Sequence, residues 1–155
     1  MRKILLASHG RLASGLKNSI EILVGNDYPI VAIDAYLDEN NHDYSEDILN
    51  FISSVNEEDE CVIFTDLYGG SVNQKVVTIC SQSKEKIYVI TGMNLPILLG
   101  VLFHYDKLTK LAIEEIIVEA QVRLLEIDSN FSTTTNSVQD CSDFFSEIKG
   151  KEEKL

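Results

Sequence analysis

Two residues of this chain have the type and setting of a covalent transfer site. His9 follows a short apolar run in ILLASHGRLASG, directly ahead of Gly10. Asp66 follows another such run in CVIFTDLYGGS, ahead of Gly69, Gly70 and Ser71. A carboxylate beside an imidazole accepts the Nδ1–H bond, fixes the tautomer and leaves Nε2 unprotonated as a nucleophile. It also stabilises the positive ring that forms when Nε2 attacks. Gly10, Gly69 and Gly70 would offer free backbone N–H donors, and Ser71 a hydroxyl, at the starts of helices. A helix N-terminus carries about half a positive charge and suits phosphate. Nucleophile, orienting acid and phosphate cradle together describe a phosphohistidine site. Each part also has a plain structural reading, because strand-end histidines, turn-capping aspartates and paired glycines followed by serine are ordinary turn chemistry.

What could bring the two halves together is the order of elements. Ile4 to Ala7 is apolar at every position and reads as a buried strand, followed by a helix with Leu12, Leu16, Ile20, Leu23 and Val24 on one face and Gly25 as its stop. Ile30 to Leu37 is a second strand, and the next helix opens at DYSE, with Asp43 as cap, Glu46 reaching back, and Ile48, Leu49, Ile52 and Val55 as its stripe. Cys61 to Thr65 is a third strand. Its helix starts as a capping box at SVNQ and buries Val72, Val76, Ile79 and Cys80. Ile87 to Thr91 is the fourth strand; Asn94 caps another helix with Pro96 in its first turn, and Ile113, Ile116, Ile117 and Ala120 mark a last helical face. The segment from Val122 to Ile127 alternates weakly and is a candidate antiparallel edge strand.

Such alternation means right-handed βαβ units: a three-layer α/β/α fold with a mainly parallel open sheet, flavodoxin-like, in the order 2-1-3-4. In that order the winding reverses between strands 1 and 3, and His9 and Asp66 face each other across the crevice where such sheets bind ligands. The expected domain spans residues 1–128. From 129 to 155 the composition turns polar, and Phe144, Phe145 and Ile148 could make a short helix in that tail.

Composition narrows the functions. The 155 residues are 45% hydrophobic and carry a net charge of −12, from 25 acidic and 13 basic residues. That fits a soluble globular domain and argues against nucleic acid or anionic membranes as partners. No apolar run approaches a membrane span, and the four-residue run after MRK is too short for a signal peptide. Cys61, Cys80 and Cys141 are few and widely spaced, which points to a reducing cytoplasm. His42, in DENNHDYSE, reads as a solvated turn residue, His104 as a helix-end residue, and EEDE at 57–60 as a solvated loop. With the histidines scattered, no metal site is expected. GRLASGLK misses the phosphate-loop pattern, since Leu16 and Lys17 follow Gly15, and G-x-G-x-x-G is absent. The main rival is a receiver-type signalling domain phosphorylated on Asp66. Receivers carry a pair of acids after strand 1 for magnesium, where this chain has Ser8 and His9.

The segments SHG around His9, TDLYGGSVN at 65–73 and GMNLPILL at 92–99 resemble, in that order, the IIA domain of the mannose-family phosphotransferase system. The resemblance implies a cytoplasmic phosphocarrier needing no cofactor. It would accept phosphate from the histidine-containing phosphocarrier protein and pass it to an EIIB component, serving sugar uptake through membrane EIIC and EIID components. The family's phosphorylated histidine falls on His9, its imidazole-orienting aspartate on Asp66, and its GGS segment on Gly69, Gly70 and Ser71. The resemblance also implies a homodimer with an exchanged C-terminal strand, a role open to the segment around 122–128. Val72 stands where the family usually has proline, a favourable but dispensable choice at a helix start. The expected EIIB acceptor is a separate polypeptide. The phosphotransfer subunit of dihydroxyacetone kinase is a related branch, but GMNLP and GGS favour the sugar-transport branch.

Overall fold

A computed structural model describes residues 1–37 and 43–124. Among the described residues, four parallel strands form one sheet: β1 (Arg2–His9), β2 (Ile30–Ala35), β3 (Glu60–Thr65) and β4 (Ile87–Thr91), in the order β2-β1-β3-β4. Five described helices connect and flank them: α1 (Leu12–Val24), α2 (Ser45–Ser53), α3 (Ser71–Cys80), α4 (Leu95–Phe103) and α5 (Lys110–Glu119). The expected α/β fold and strand order are those observed. Register pairs Ala7 of β1 with Ile33 of β2 and Thr65 of β3, so β1 and β3 end side by side.

Because side chains alternate along a strand, each strand feeds both layers. Leu5, Ala7, Ile33, Ala35, Cys61 and Ile63 join Ile48 and Phe51 of α2 and Val72 and Val76 of α3 in one buried cluster. Alternate β1 and β3 residues, Ile4, Leu6, Val62 and Phe64, are fully buried too, as are Ile20 of α1 and Leu98 of α4. α5 lies close on α4 because residue 100 is glycine: a Cβ there would sit 2.5 Å from Ile116 Cγ2.

Several sequence expectations need correction. The buried side of α1 is Ala13 and Ile20; Leu12 and Leu23 are exposed, since the sheet accepts the small Ala13 where the helix approaches it. In α2, Phe51 is buried and Leu49 exposed. Asp43 accepts from the Ser45 N–H in a turn, and α2 has no side-chain cap. Ser71 does not cap α3: the cap position is Gly70, which leaves the Ser71 hydroxyl free for other contacts. In EEDE, Asp59 and Glu60 are not solvated loop residues. Asp59 pairs with the N-terminal amine at 3.0 Å, and Glu60 accepts from Arg2 at 2.7 Å and from the Leu108 N–H. Arg2 also donates to the carbonyls of Val101 and His104 at 2.6 and 2.7 Å, tying the end of α4 to the sheet. His104 is, as expected, the residue that ends α4.

Met1–Ala120 form one compact unit. After it residues 121–124 are described; they carry no strand, and Val122 and Leu124 are exposed. The boundary after 128, the tail helix, the remainder of the edge-strand segment, His42 and Cys141 lie outside the described residues.

Candidate functional site

Strands β1 and β3 end where the sheet's winding reverses, and each delivers one side chain into that crevice. The Asp66 carboxylate is shared. Its Oδ2 accepts from the His9 backbone N–H and meets His9 Nδ1, both at 2.8 Å, while Oδ1 accepts from the Leu67 N–H at 2.8 Å. Burial pushes the Asp66 carboxyl up, but the bonds from His9 and Leu67 outweigh it and hold the group below its usual value. An ionised carboxylate only accepts, so in the neutral ring Nδ1 carries the proton and Nε2 the lone pair.

Nε2 points to the start of α3. Ser71 Oγ lies 3.0 Å from it and also accepts from the Tyr36 hydroxyl at 3.0 Å. The Tyr36 ring stacks on the imidazole, with centroids 5.4 Å apart and planes 15° from parallel. Sequence reasoning missed Tyr36: it reads as a strand-end aromatic, and only the turn after β2 brings it over His9.

The glycines act otherwise than expected. The Gly10 N–H donates to Ala35 O at 2.8 Å, the Gly69 N–H to Asn73 Oδ1 at 3.1 Å and the Gly70 N–H to Leu67 O at 3.1 Å. None of the three is a free donor: Gly10 is bonded across to β2, and Gly69 and Gly70 to residues around their own turn. Gly10 has φ +57°, which turns the chain sharply after His9 and disfavours any Cβ. Gly70 is the close-approach position: a Cβ would lie 3.2 Å from Leu67 Cβ and 3.4 Å from His9 Cε1.

The free donors are the next two residues. α3 has no side-chain cap, and no described group accepts from the Ser71 or Val72 N–H. At the start of α1 two donors are already taken, the Ala13 N–H by Ser8 Oγ at 2.8 Å and the Ser14 N–H by Asp34 Oδ1 at 3.0 Å. An anion on Nε2, 3.0 Å from Ser71 Oγ, would meet the start of α3 with its partial positive charge. Asn73, also missed from sequence, fixes that end by donating to Thr65 Oγ1 and Thr91 Oγ1, both at 3.0 Å, while its oxygen holds the Gly69 N–H.

Other nucleophiles are poorly placed. Burial pushes the Cys61 thiol up to about 12 and the Cys80 thiol up to about 11. Among the described residues, no group of three His, Cys, Asp or Glu side chains could hold a metal ion. No described helix is long and apolar enough to cross a membrane.

Residues 3–120 match the family model described as "PTS system fructose IIA component". The chain belongs to that family. A curated relative, the "PTS system fructose-specific EIIA component" of Bacillus subtilis, is 24% identical over 102 residues, covering 66% of this chain and 69% of its own. Among solved structures, the PTS IIA protein associated with the fucose utilization operon of Streptococcus pneumoniae superposes with a TM-score of 0.67. It is 30% identical, covering 81% of this chain and 92% of that one. The mannose/sorbose-specific IIA subunit from Enterococcus faecalis has a TM-score of 0.66 at 17% identity, covering 84% and 98%, and shares the fold. As a IIA component, the protein has its role in sugar phosphotransfer.

Proposed function

We propose that the protein is a phosphohistidine carrier. It accepts phosphate on His9 Nε2 from the histidine-containing phosphocarrier protein and passes it to a separate EIIB component. Transfer breaks the donor's P–N bond as the Nε2 lone pair forms a new one; the proton stays on Nδ1, hydrogen-bonded to the Asp66 carboxylate, whose negative charge offsets the ring's positive charge. Gly69 and Gly70 shape the turn that presents Ser71, whose hydroxyl and N–H meet the phosphoryl oxygens. The observation that carries this reading is the 2.8 Å contact of Nδ1 with Asp66 Oδ2, which leaves Nε2 basic in front of an uncapped helix. Because donor and acceptor are protein side chains, the step needs no metal.

The net charge of −12 would steer the protein towards basic partner faces. The work is cytoplasmic and the protein a homodimer; exposed Leu111 and Val118 on α5 support a self-association surface. A receiver-like phosphorylation of Asp66 fits less well, since both carboxylate oxygens already accept hydrogen bonds.

Incubation with the phosphorylated donor carrier tests the reading. The wild type should take up one acid-labile, alkali-stable phosphoryl group, and His9→Ala none. Stoichiometric labelling of His9→Ala would remove His9 from the mechanism.

A further inference from the structure

Tyr36 has no assigned part in transfer, yet its conformation is costly and its surroundings are built to hold it. It is the one described non-glycine residue with positive φ, at +63°. Side chains with a Cβ disfavour that region, and such strain persists where neighbours over-determine it. Burial is not the reason, because Tyr36 is 49% exposed. Its neighbours form a ladder instead. Tyr44 packs edge-on against Tyr36, with centroids 6.2 Å apart at 76°, and the Lys75 ammonium sits 4.4 Å above the Tyr44 ring. Asp43 holds Lys75 at 2.9 Å.

We infer that Tyr36 is a positioning residue for the phosphoryl transfer proposed above, acting on His9 through Ser71. The Ser71 hydroxyl lies between the Tyr36 hydroxyl and Nε2, at 3.0 Å from each. It has one proton. Nε2 holds a lone pair and cannot donate, so the arrangement that satisfies all three groups runs one way: Tyr36 O–H to Ser71 Oγ, and Ser71 O–H to Nε2. A Tyr36 hydroxyl that donates to Ser71 does not receive the Ser71 proton, which is left for Nε2. As the Nε2 lone pair becomes the new N–P bond, that proton turns to the nearest phosphoryl oxygen. The bond it makes there is strengthened by the one it receives from Tyr36. The stacked phenol also faces a ring that becomes positive, since Nδ1 keeps its proton when Nε2 is phosphorylated, and an aromatic face favours a cation.

This inference rests on the phosphohistidine reading, and the experiment separates the two. Single-turnover transfer from the phosphorylated donor carrier would be measured for the wild type, Tyr36→Phe and Tyr36→Leu, with ¹⁵N spectra of the His9 ring. Tyr36→Phe keeps the ring and the packing and loses only the hydroxyl. Its maximal rate should fall about three- to tenfold, with the half-saturating donor concentration unchanged and the Nε2 resonance shifted. Tyr36→Leu should fall further, and the difference between Leu and Phe reports the stacked ring. Wild-type rates and an unmoved Nε2 resonance in Tyr36→Phe would overturn the role of Tyr36 and leave the carrier reading standing. A wild type that takes up no label would overturn the carrier reading, and this inference with it.

Discussion

Asp66→Asn removes a charge and one acceptor while keeping the shape of the side chain. Asp66 has two oxygens and three donors to serve, His9 N–H and Nδ1–H on Oδ2 and Leu67 N–H on Oδ1. An amide has a single oxygen. If that oxygen replaces Oδ2, the new NH₂ is set against the Leu67 N–H. If the amide turns over, NH₂ faces the His9 N–H and Nδ1, and the ring must accept at Nδ1 and carry its proton on Nε2, which destroys the nucleophile. In the first case the loss is that of a bond to a charged group, about 1.5–3 kcal/mol. At about 1.4 kcal/mol per factor of ten, the rate falls about ten- to a hundredfold, and the wrong tautomer in the second case lowers it further. The assay is rapid-quench transfer from the phosphorylated donor carrier, with the His9 tautomer read from ¹⁵N spectra. A rate within about twofold of wild type, with Nδ1 still protonated, would refute the orienting role.

Gly70→Ala brings a methyl to 3.2 Å from Leu67 Cβ and 3.3 Å from Leu67 O, so the turn must give way by a few tenths of an ångström beside the His9 ring, whose Cε1 the methyl meets at 3.4 Å. Transfer should slow by roughly tenfold while the circular dichroism spectrum is kept; an unchanged rate would show that the ring tolerates the shift. Arg2→Met leaves Glu60 and the carbonyls of Val101 and His104 without their shared donor, at a cost of about 2–4 kcal/mol in urea unfolding. The folded variant should transfer at the wild-type rate, because the cluster sits at the other end of β1. The pH dependence follows from Asp66 and Glu60. Burial raises each, but hydrogen bonds from His9 and Leu67, and from Leu108 and Arg2, bring both below their usual values. Groups depressed in the folded state stabilise it fully above the unfolded pKa of about 4, and that contribution is lost as pH falls through the folded values. The urea midpoint should therefore drop in acid, and an equal midpoint at neutral and strongly acid pH would contradict these assignments.

The sheet was legible because a parallel strand buried on both faces is apolar at every position, as Leu5, Leu6 and Ile63 are. His9 and Asp66 were legible because strand order alone brings their strand ends together. Helix faces were harder to read: Ala13 is small and scored little against Leu12, yet the sheet accepts the small side chain. Ser71 carries a cap residue's signature one position past the actual cap, and only coordinates reveal that its hydroxyl turns to His9 instead. Tyr36 and Asn73 left no local signal. One depends on a positive φ in a non-glycine residue, the other on two threonines from separate strands.

The claim on which the rest depends is that His9 Nε2 carries the phosphoryl group. Its most direct test is ¹⁵N and ³¹P spectroscopy of the protein labelled at histidine and phosphorylated by its donor carrier. The account predicts one phosphohistidine, at His9, bonded through Nε2 with Nδ1 still protonated. Phosphate on Nδ1, on another histidine, or in a hydroxylamine-labile form at Asp66 would contradict it.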